Sequence, residues 1–536
     1  MVSISASICG ELYELSGESS PTCECNNDLD EVIIDRNHPG YRTVFSGSWL
    51  LGSDIPSIIA NLVPRFPGIS PGYNSMLLKK HGDYRELGWD IIALVSAWPR
   101  AKVEYRLADA TAIKEVTANR ARFPKPVHRY GMVSFFGGNI VVSEGDEWKM
   151  YRKIAAPSFS ERNIKLAWDE ACRVMLDLFE NVWGNQEEMA LDNCVDMTMP
   201  VNKRFLFICM AGFGQQYGWK DEGSVSQGHT MSFKEALDIV STDVFLKIIV
   251  PKWASSLTRR IRRAITAYDE LELYMLDMIH ERKSSGKQTD RHDLFNSLLD
   301  ANEEVLEGEA KLSDRELLGN IFMFLLAGHE TTAHTLCFAL GLLACYPEEQ
   351  DLLYQEVKNS ATPDELPVSK EESSLCLCRA LYETLRLFPP VPGIPKYSAE
   401  DTTLTTTKES GESKTISIPA GVDITIDCIG LHHNPRYWSD PDTFRPARFL
   451  EKDWPRDAFM SFSGGPRACI GRRFFESESV AMLVMLVSRY RIEVIEEPRH
   501  GSETLEQRNE RVLSCKLGLT LTPVRVPLVF RRRDGQ

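Results

Sequence analysis

The sequence predicts a mainly α fold: one large helical unit carrying small β-sheets. Two observations point there. Long stretches with helical periodicity, at 162–183, 264–283, 313–345, 371–387 and 473–490, are separated by short loops rich in Pro and Gly. Strand-like pieces are fewer and short: 101–106, 403–407, 415–418, 422–427 and 491–495. A third observation sets the domain count. A chain of 536 residues suggests three or four domains at ~150 residues each. No repeat or long linker divides it, however, so a single domain over residues 37–536 behind a tail at 1–36 is expected.

The 313–345 stretch needs the most justification. Leu317–Pro347 spans 31 residues with one formal charge, Glu330. Hydropathy alone would let it cross a bilayer. Its centre reads Ala327-Gly328-His329-Glu330-Thr331-Thr332, and an ionisable group at mid-membrane depth is costly. A helix apolar all round because it is buried all round is the better reading. Small and hydroxyl residues at its polar centre would let it open beside a ligand. Thr403–Thr407 and Thr415–Ile418 flank Gly411 and predict a hairpin.

Composition bounds the function. With 43% hydrophobic and 26% charged residues and a mean hydropathy of -0.24, global disorder, collagen and polytopic membrane folds are excluded. A net charge of -15 argues against a nucleic-acid partner. Thirteen cysteines spread over so long a chain fit a reducing compartment. Residues 1–36 hold eight acids against one base, Arg36. With no basic n-region and no long apolar run, they read as a solvated tail without a secretory signal. Cys23 and Cys25 lack the further ligands a metal site needs.

The stretch Phe462-Ser463-Gly464-Gly465-Pro466-Arg467-Ala468-Cys469-Ile470-Gly471-Arg472-Arg473-Phe474 carries the chemistry. A tight Gly-Gly-Pro loop precedes the cysteine, and a helix begins at about Arg472. Cys469 then sits before a helix N-terminus, where backbone N–H groups and nearby Arg467 would favour a thiolate, the form that ligates metal. Phe462, Gly465, Arg467, Cys469 and Gly471 match Phe-x-x-Gly-x-Arg-x-Cys-x-Gly. This resembles the haem-binding loop of the cytochrome P-450 superfamily of haem-thiolate monooxygenases, and of its fungal microsomal-type members in particular.

Other segments share that resemblance, in the family's order, over roughly residues 38–525. Glu383-Thr384-Leu385-Arg386 puts an acid and a base on one helix face. Phe388-Pro389-Pro390 follows. Phe444-Arg445-Pro446-Ala447-Arg448-Phe449 resembles the Pro-Glu-Arg-Phe element, with Ala447 in place of the acid. The resemblance implies a structural Glu383–Arg386–Arg448 network. Trp148-x-x-x-Arg152 resembles the motif whose two side chains, with Arg467, contact a haem propionate. Ala327-Gly328-x-Glu330-Thr331 resembles the oxygen-activation motif.

The resemblance implies haem b with Cys469 as axial ligand, and Glu330 and Thr331 delivering protons to O2. It implies the reaction RH + O2 + NADPH + H+ to ROH, water and NADP+, on a lipophilic small molecule such as a terpenoid-like secondary metabolite. An isomerase or dehydratase, or a fatty-acid-type hydroxylase, is the alternative. Gly212-x-Gly214-x-x-x-Gly218 has the wrong spacing for a dinucleotide site. The resemblance implies that electrons come from NADPH-cytochrome P-450 reductase, a separate flavoprotein, which would dock on a face that draws on Lys149, Arg152, Lys153, Arg467, Arg472 and Arg473. The expected location is the cytoplasmic face of the endoplasmic reticulum membrane. No N-terminal anchor is seen; the apolar Val244–Trp253 run and the arginines after it would touch the membrane surface. His329, His432 and His433 are given no chemistry. Val391-Pro392-Gly393-Ile394 is expected to help line the substrate pocket.

Overall fold

The structure is a computed structural model describing residues 38–45, 75–98, 101–184, 186–211, 225–242, 250, 253, 257–285, 294–304, 311–360, 371–408 and 410–533. The acidic tail with its Cys-x-Cys pair, the 212–218 glycine run and most of 244–253 lie outside the described residues.

The architecture is built around one long helix, Asp314–Cys345. Its start is a capping box. Ser313 Oγ accepts from the Glu316 N–H, and Glu316 Oε2 accepts from the Ser313 N–H at 2.8 Å. Pro347 follows its end. Leu317–Leu326 and Thr332–Cys345 are buried without a break, so the all-round apolarity reflects a core position. No helix among the described residues is long and apolar enough to cross a membrane. Helices Val195–Ala211, Arg259–Ser285, Glu371–Leu387 and Arg472–Arg489 pack against the central one. Gly319 allows a close crossing, since a Cβ there would meet Gly138 O at 2.5 Å. The segment after Gly138 is then pinned by the Ile140 N–H donating to Asn320 Oδ1 at 3.0 Å.

The expected helices appear with ends shifted by a few residues, the 162–183 stretch being Glu161–Asp177 followed by a wide π turn at Leu178–Trp183. The hairpin is Thr402–Thr407 against Ser413–Ile418, with Gly411 at φ +85. The sheets are more extensive than expected. A five-stranded sheet runs in the order Gly40–Phe45, Ile91–Trp98, Lys102–Leu107, Asp423–Asp427, Gly393–Tyr397. Ile91–Trp98 went unread because a short apolar strand buried from Ile91 to Ser96 has no period-2 signature. A three-stranded sheet joins Glu188–Leu191, Leu528–Arg532 and Tyr490–Val494, and Cys515–Leu517 pairs with Leu521–Pro523.

Candidate haem site

The Phe462–Gly471 loop is set by its backbone. The Cys469 N–H donates to Phe462 O at 2.8 Å. Gly465 has φ +63, and a Cβ there would strike Thr117 O at 2.3 Å, so this position requires glycine. The helix Arg472–Arg489 begins directly after, as the sequence suggested. Cys469 is exposed, yet desolvation by the surrounding protein pushes its thiol up. The Gly471 N–H, Arg152 and Arg472 pull the thiol the other way.

The cations that pull most on the thiol are Arg152 and Arg472, where the sequence suggests Arg467. The Arg467 guanidinium turns to Glu144, with Nη2 at 2.7 Å from Oε2, and donates to Ser143 O at 2.7 Å and Ile140 O at 3.3 Å. Arg152 takes the place beside the cysteine, its Nη1 donating to Ala468 O at 3.1 Å. Trp148 and Arg467 do come together, with the guanidinium carbon 4.5 Å from the ring centroid, and Arg120 approaches the same ring at 4.3 Å. Of the expected trio, Trp148 and Arg467 share one cluster, while Arg152 lies one turn along at the cysteine loop.

The cluster contains residues that no sequence pattern marked, because they converge from separate segments: Arg120, Lys125, Glu144 and Lys396. Burial and Arg467 push Lys125 well below the usual lysine range. Burial lowers Lys396 to about 8. Glu144, held down by the Arg467 hydrogen bond despite burial, is the carboxylate that pairs with Arg467 there. Arg120 Nη1 and Arg467 Nε are buried without a partner. A partly buried cluster of basic groups, with donors left unmatched, fits a ligand bearing carboxylates. An accessible free cysteine plus a cationic seat is the donor set a thiolate-ligated haem needs.

The oxygen-activation segment sits on the central helix. Ala327 is exposed, and Gly328, Glu330 and Thr331 are half-exposed, between the buried stretches Leu317–Leu326 and Thr332–Cys345. Thr331 Oγ1 donates to Ala327 O at 2.7 Å, back along its own helix. Glu330 Oε1 accepts from Thr520 Oγ1 at 2.8 Å. Glu330 and Thr331 are thus neighbours with separate partners. Phe159 bridges this helix to the cysteine helix, 5.5 Å from Phe324 and 6.3 Å from Phe474 by ring centroids.

Below the loop, the Glu383–Arg386–Arg448 network forms in full. Arg386 Nε and Nη2 donate to the two Glu383 oxygens at 2.7 and 2.8 Å, and Arg448 Nε donates to Oε1 at 3.0 Å. All three side chains are buried. Ala447 removes an acid without removing a member of this network. The expected cationic docking face is largely neutralised: Lys149 pairs with Asp146, Arg472 with Glu476 and Arg473 with Glu161, while Arg467 turns inward.

Comparison with known proteins gives the same class. A family model for cytochrome P450 matches residues 89–514. "Cytochrome P450 monooxygenase 124" of Postia placenta is 50% identical over 501 residues, covering 93% of this chain and 94% of that one. "Cytochrome P450 monooxygenase ORF6" of Penicillium roqueforti is 30% identical over 458 residues, 77% of each chain. The crystal structure of the cytochrome P450DA heme domain superposes with a TM-score of 0.68 at 21% identity, covering 86% of this chain and 94% of that one. The chain belongs to the cytochrome P450 family of haem-dependent monooxygenases.

Proposed function

We propose that this monooxygenase inserts one atom of O2 into a lipophilic small molecule, a terpenoid-like or other secondary-metabolite intermediate, using NADPH electrons passed through a separate flavoprotein reductase. The observation that carries the reading is the accessible acid–alcohol turn, Glu330-Thr331, set between the buried stretches Leu317–Leu326 and Thr332–Cys345 of one helix. A carboxyl and a hydroxyl have little use there unless protons are moved.

A bound haem supplies the redox chemistry, activating O2 for transfer of one oxygen atom. Cys469 would ligate its iron, with Arg152, Arg472 and the Gly471 N–H offsetting the burial that opposes a thiolate. Trp148, Arg467, Arg120, Lys125 and Lys396 would hold its carboxylates. Arg152 completes that seat in the sequence reading; its observed place puts its charge on the cysteine side. Thr331 holds a proton at Oγ1, and Glu330 renews it. Trp253 and Leu257, exposed at 79% and 67%, stand just before Arg259 and Arg263 and suit contact with a membrane surface, consistent with attachment to the endoplasmic reticulum.

The test is expression with a fungal reductase in a host fed candidate lipophilic metabolites under isotopically labelled O2. A product carrying one labelled oxygen is expected. A rearranged or dehydrated product without label would establish the isomerase or dehydratase reading instead.

A further inference from the structure

The carboxyl of Glu330 is held from outside its own helix. Thr520 donates to it through Oγ1 at 2.8 Å, and the Thr520 backbone adds to the pull toward the ionised form. With the hydroxyl proton committed to Glu330, the Thr520 oxygen accepts from His334 Nδ1 at 2.9 Å. His334 lies one helical turn beyond Glu330, with Nδ1 3.9 Å from Oε1. Thr520 and His334 are buried, and burial keeps His334 neutral, its pKa lowered to about 4. A neutral imidazole with Nδ1 protonated is the tautomer this chain requires.

Thr520 belongs to the turn between Cys515–Leu517 and Leu521–Pro523. The Gly518 N–H and Thr522 Oγ1 both donate to Thr520 O at 3.0 Å, locking the turn. The adjacent Leu521 N–H donates to Pro390 O at 2.9 Å. Pro390 leads into Val391-Pro392-Gly393-Ile394, the segment expected beside the substrate. The acid on the oxygen-activation helix is therefore wired to a distant C-terminal turn and, through it, to the candidate pocket wall.

We propose that Thr520 and His334 are positioning residues for proton delivery, clamping the Glu330 carboxyl in one orientation and setting its proton affinity. The proposal rests on the proton role given to Glu330 above. Burial raises the Glu330 carboxyl, and the Thr520 hydroxyl and backbone oppose that shift. Without the hydroxyl, one donor is lost to the ionised form, and the His334 N–H loses its acceptor.

The test compares Thr520→Val, Thr520→Ser and Glu330→Gln as haem-loaded proteins with a flavoprotein reductase, NADPH and O2, and no organic substrate. Reduction to peroxide consumes one NADPH and one H+ per O2; reduction to two waters consumes two of each. Thr520→Val should move the NADPH:O2 ratio toward one, with peroxide rising to match. Thr520→Ser should stay near wild type. Independently of turnover, the protonated-carboxyl infrared band that Glu330→Gln abolishes should persist about one pH unit higher in Thr520→Val, the scale of one hydrogen bond to a charged group. His334 is the titratable group beside that carboxyl. A wild-type ratio and titration in Thr520→Val, or equal defects in the Ser and Val variants, would overturn the clamp. An unchanged ratio in Glu330→Gln would instead overturn the proton role of Glu330, and the clamp with it.

Discussion

Arg386 and His432 are hydrogen-bonded in both directions: Arg386 Nη1 donates to His432 O at 2.7 Å, and His432 Nδ1 donates to Arg386 O at 3.0 Å. His432 Nε2 then accepts from the Met460 N–H at 2.8 Å. Two residues on, Phe462 O receives the Cys469 N–H. The buried ion network is in this way coupled through one imidazole to the loop that presents the cysteine. The histidine that the sequence left without chemistry is a structural link.

Arg386→Ala should therefore abolish haem incorporation. It leaves Glu383 buried with one cationic partner, and breaking a buried pair costs about 3–5 kcal/mol. Arg386→Lys should fail nearly as badly, because an ammonium cannot pair with both Glu383 oxygens while reaching His432 O and Pro441 O. Haem content per folded protein is the measurement. A stable, fully loaded Arg386→Ala protein would contradict the structural role.

For Cys469, the reduced carbon-monoxide complex of the wild type should show the red-shifted Soret band of thiolate ligation. Cys469→His should lose that band even if haem is retained. A wild type lacking the band would end the ligand assignment.

Within the cationic seat, Arg467→Gln should weaken haem retention while leaving the fold intact. It removes one charge from a group of buried cations, but strands Glu144 with Arg120, 3.6 Å away. Lys396→Gln should be milder, since Lys396 sheds its charge more readily, at about pH 8. Haem transfer to apomyoglobin ranks the two. Equal rates for both variants and wild type would remove the cluster from cofactor binding.

How much of this was legible follows the range of the interactions. Ser313, the apolar run behind it and Pro347 mark the central helix locally, and the structure starts it one residue later. The Phe462–Gly471 loop is legible because its marker residues lie within ten positions, although Thr117 and Arg152, from distant segments, also shape it. Arg120, Lys125, Glu144 and Lys396 were not, because nothing near each one signals that folding will collect them. Arg467 shows the same limit from the other side. Its closeness to Cys469 in the chain suggested a thiolate partner, but carbonyls from the 140–143 segment, pinned to Asn320, draw it away. Glu330 was legible as an acid in a dry helix, whereas its partner Thr520 is 190 residues distant.

Stability should fall on acidification from near neutrality. Burial lowers the pKa of His38, His81 and His334 to about 4 and of His432 to about 3. Their unfolded value is 6.5, so below it the unfolded chain binds protons that the native state refuses, and stability declines until the folded values are reached. Each tenfold difference in proton affinity is worth ~1.4 kcal/mol. Asp90 and Asp427, raised by burial to about 6, act oppositely, gaining stability as pH drops from about 6. Burial also lowers His433 and raises Glu330, Glu349 and Glu478; because each imidazole loses from pH 6.5 downward, the five histidines are expected to set the sign. The urea midpoint should therefore be lower at pH 5 than at pH 7, and His38→Gln should shrink that difference by removing one such group. A midpoint that stays level or rises toward pH 5 would show that the buried imidazoles do not dominate.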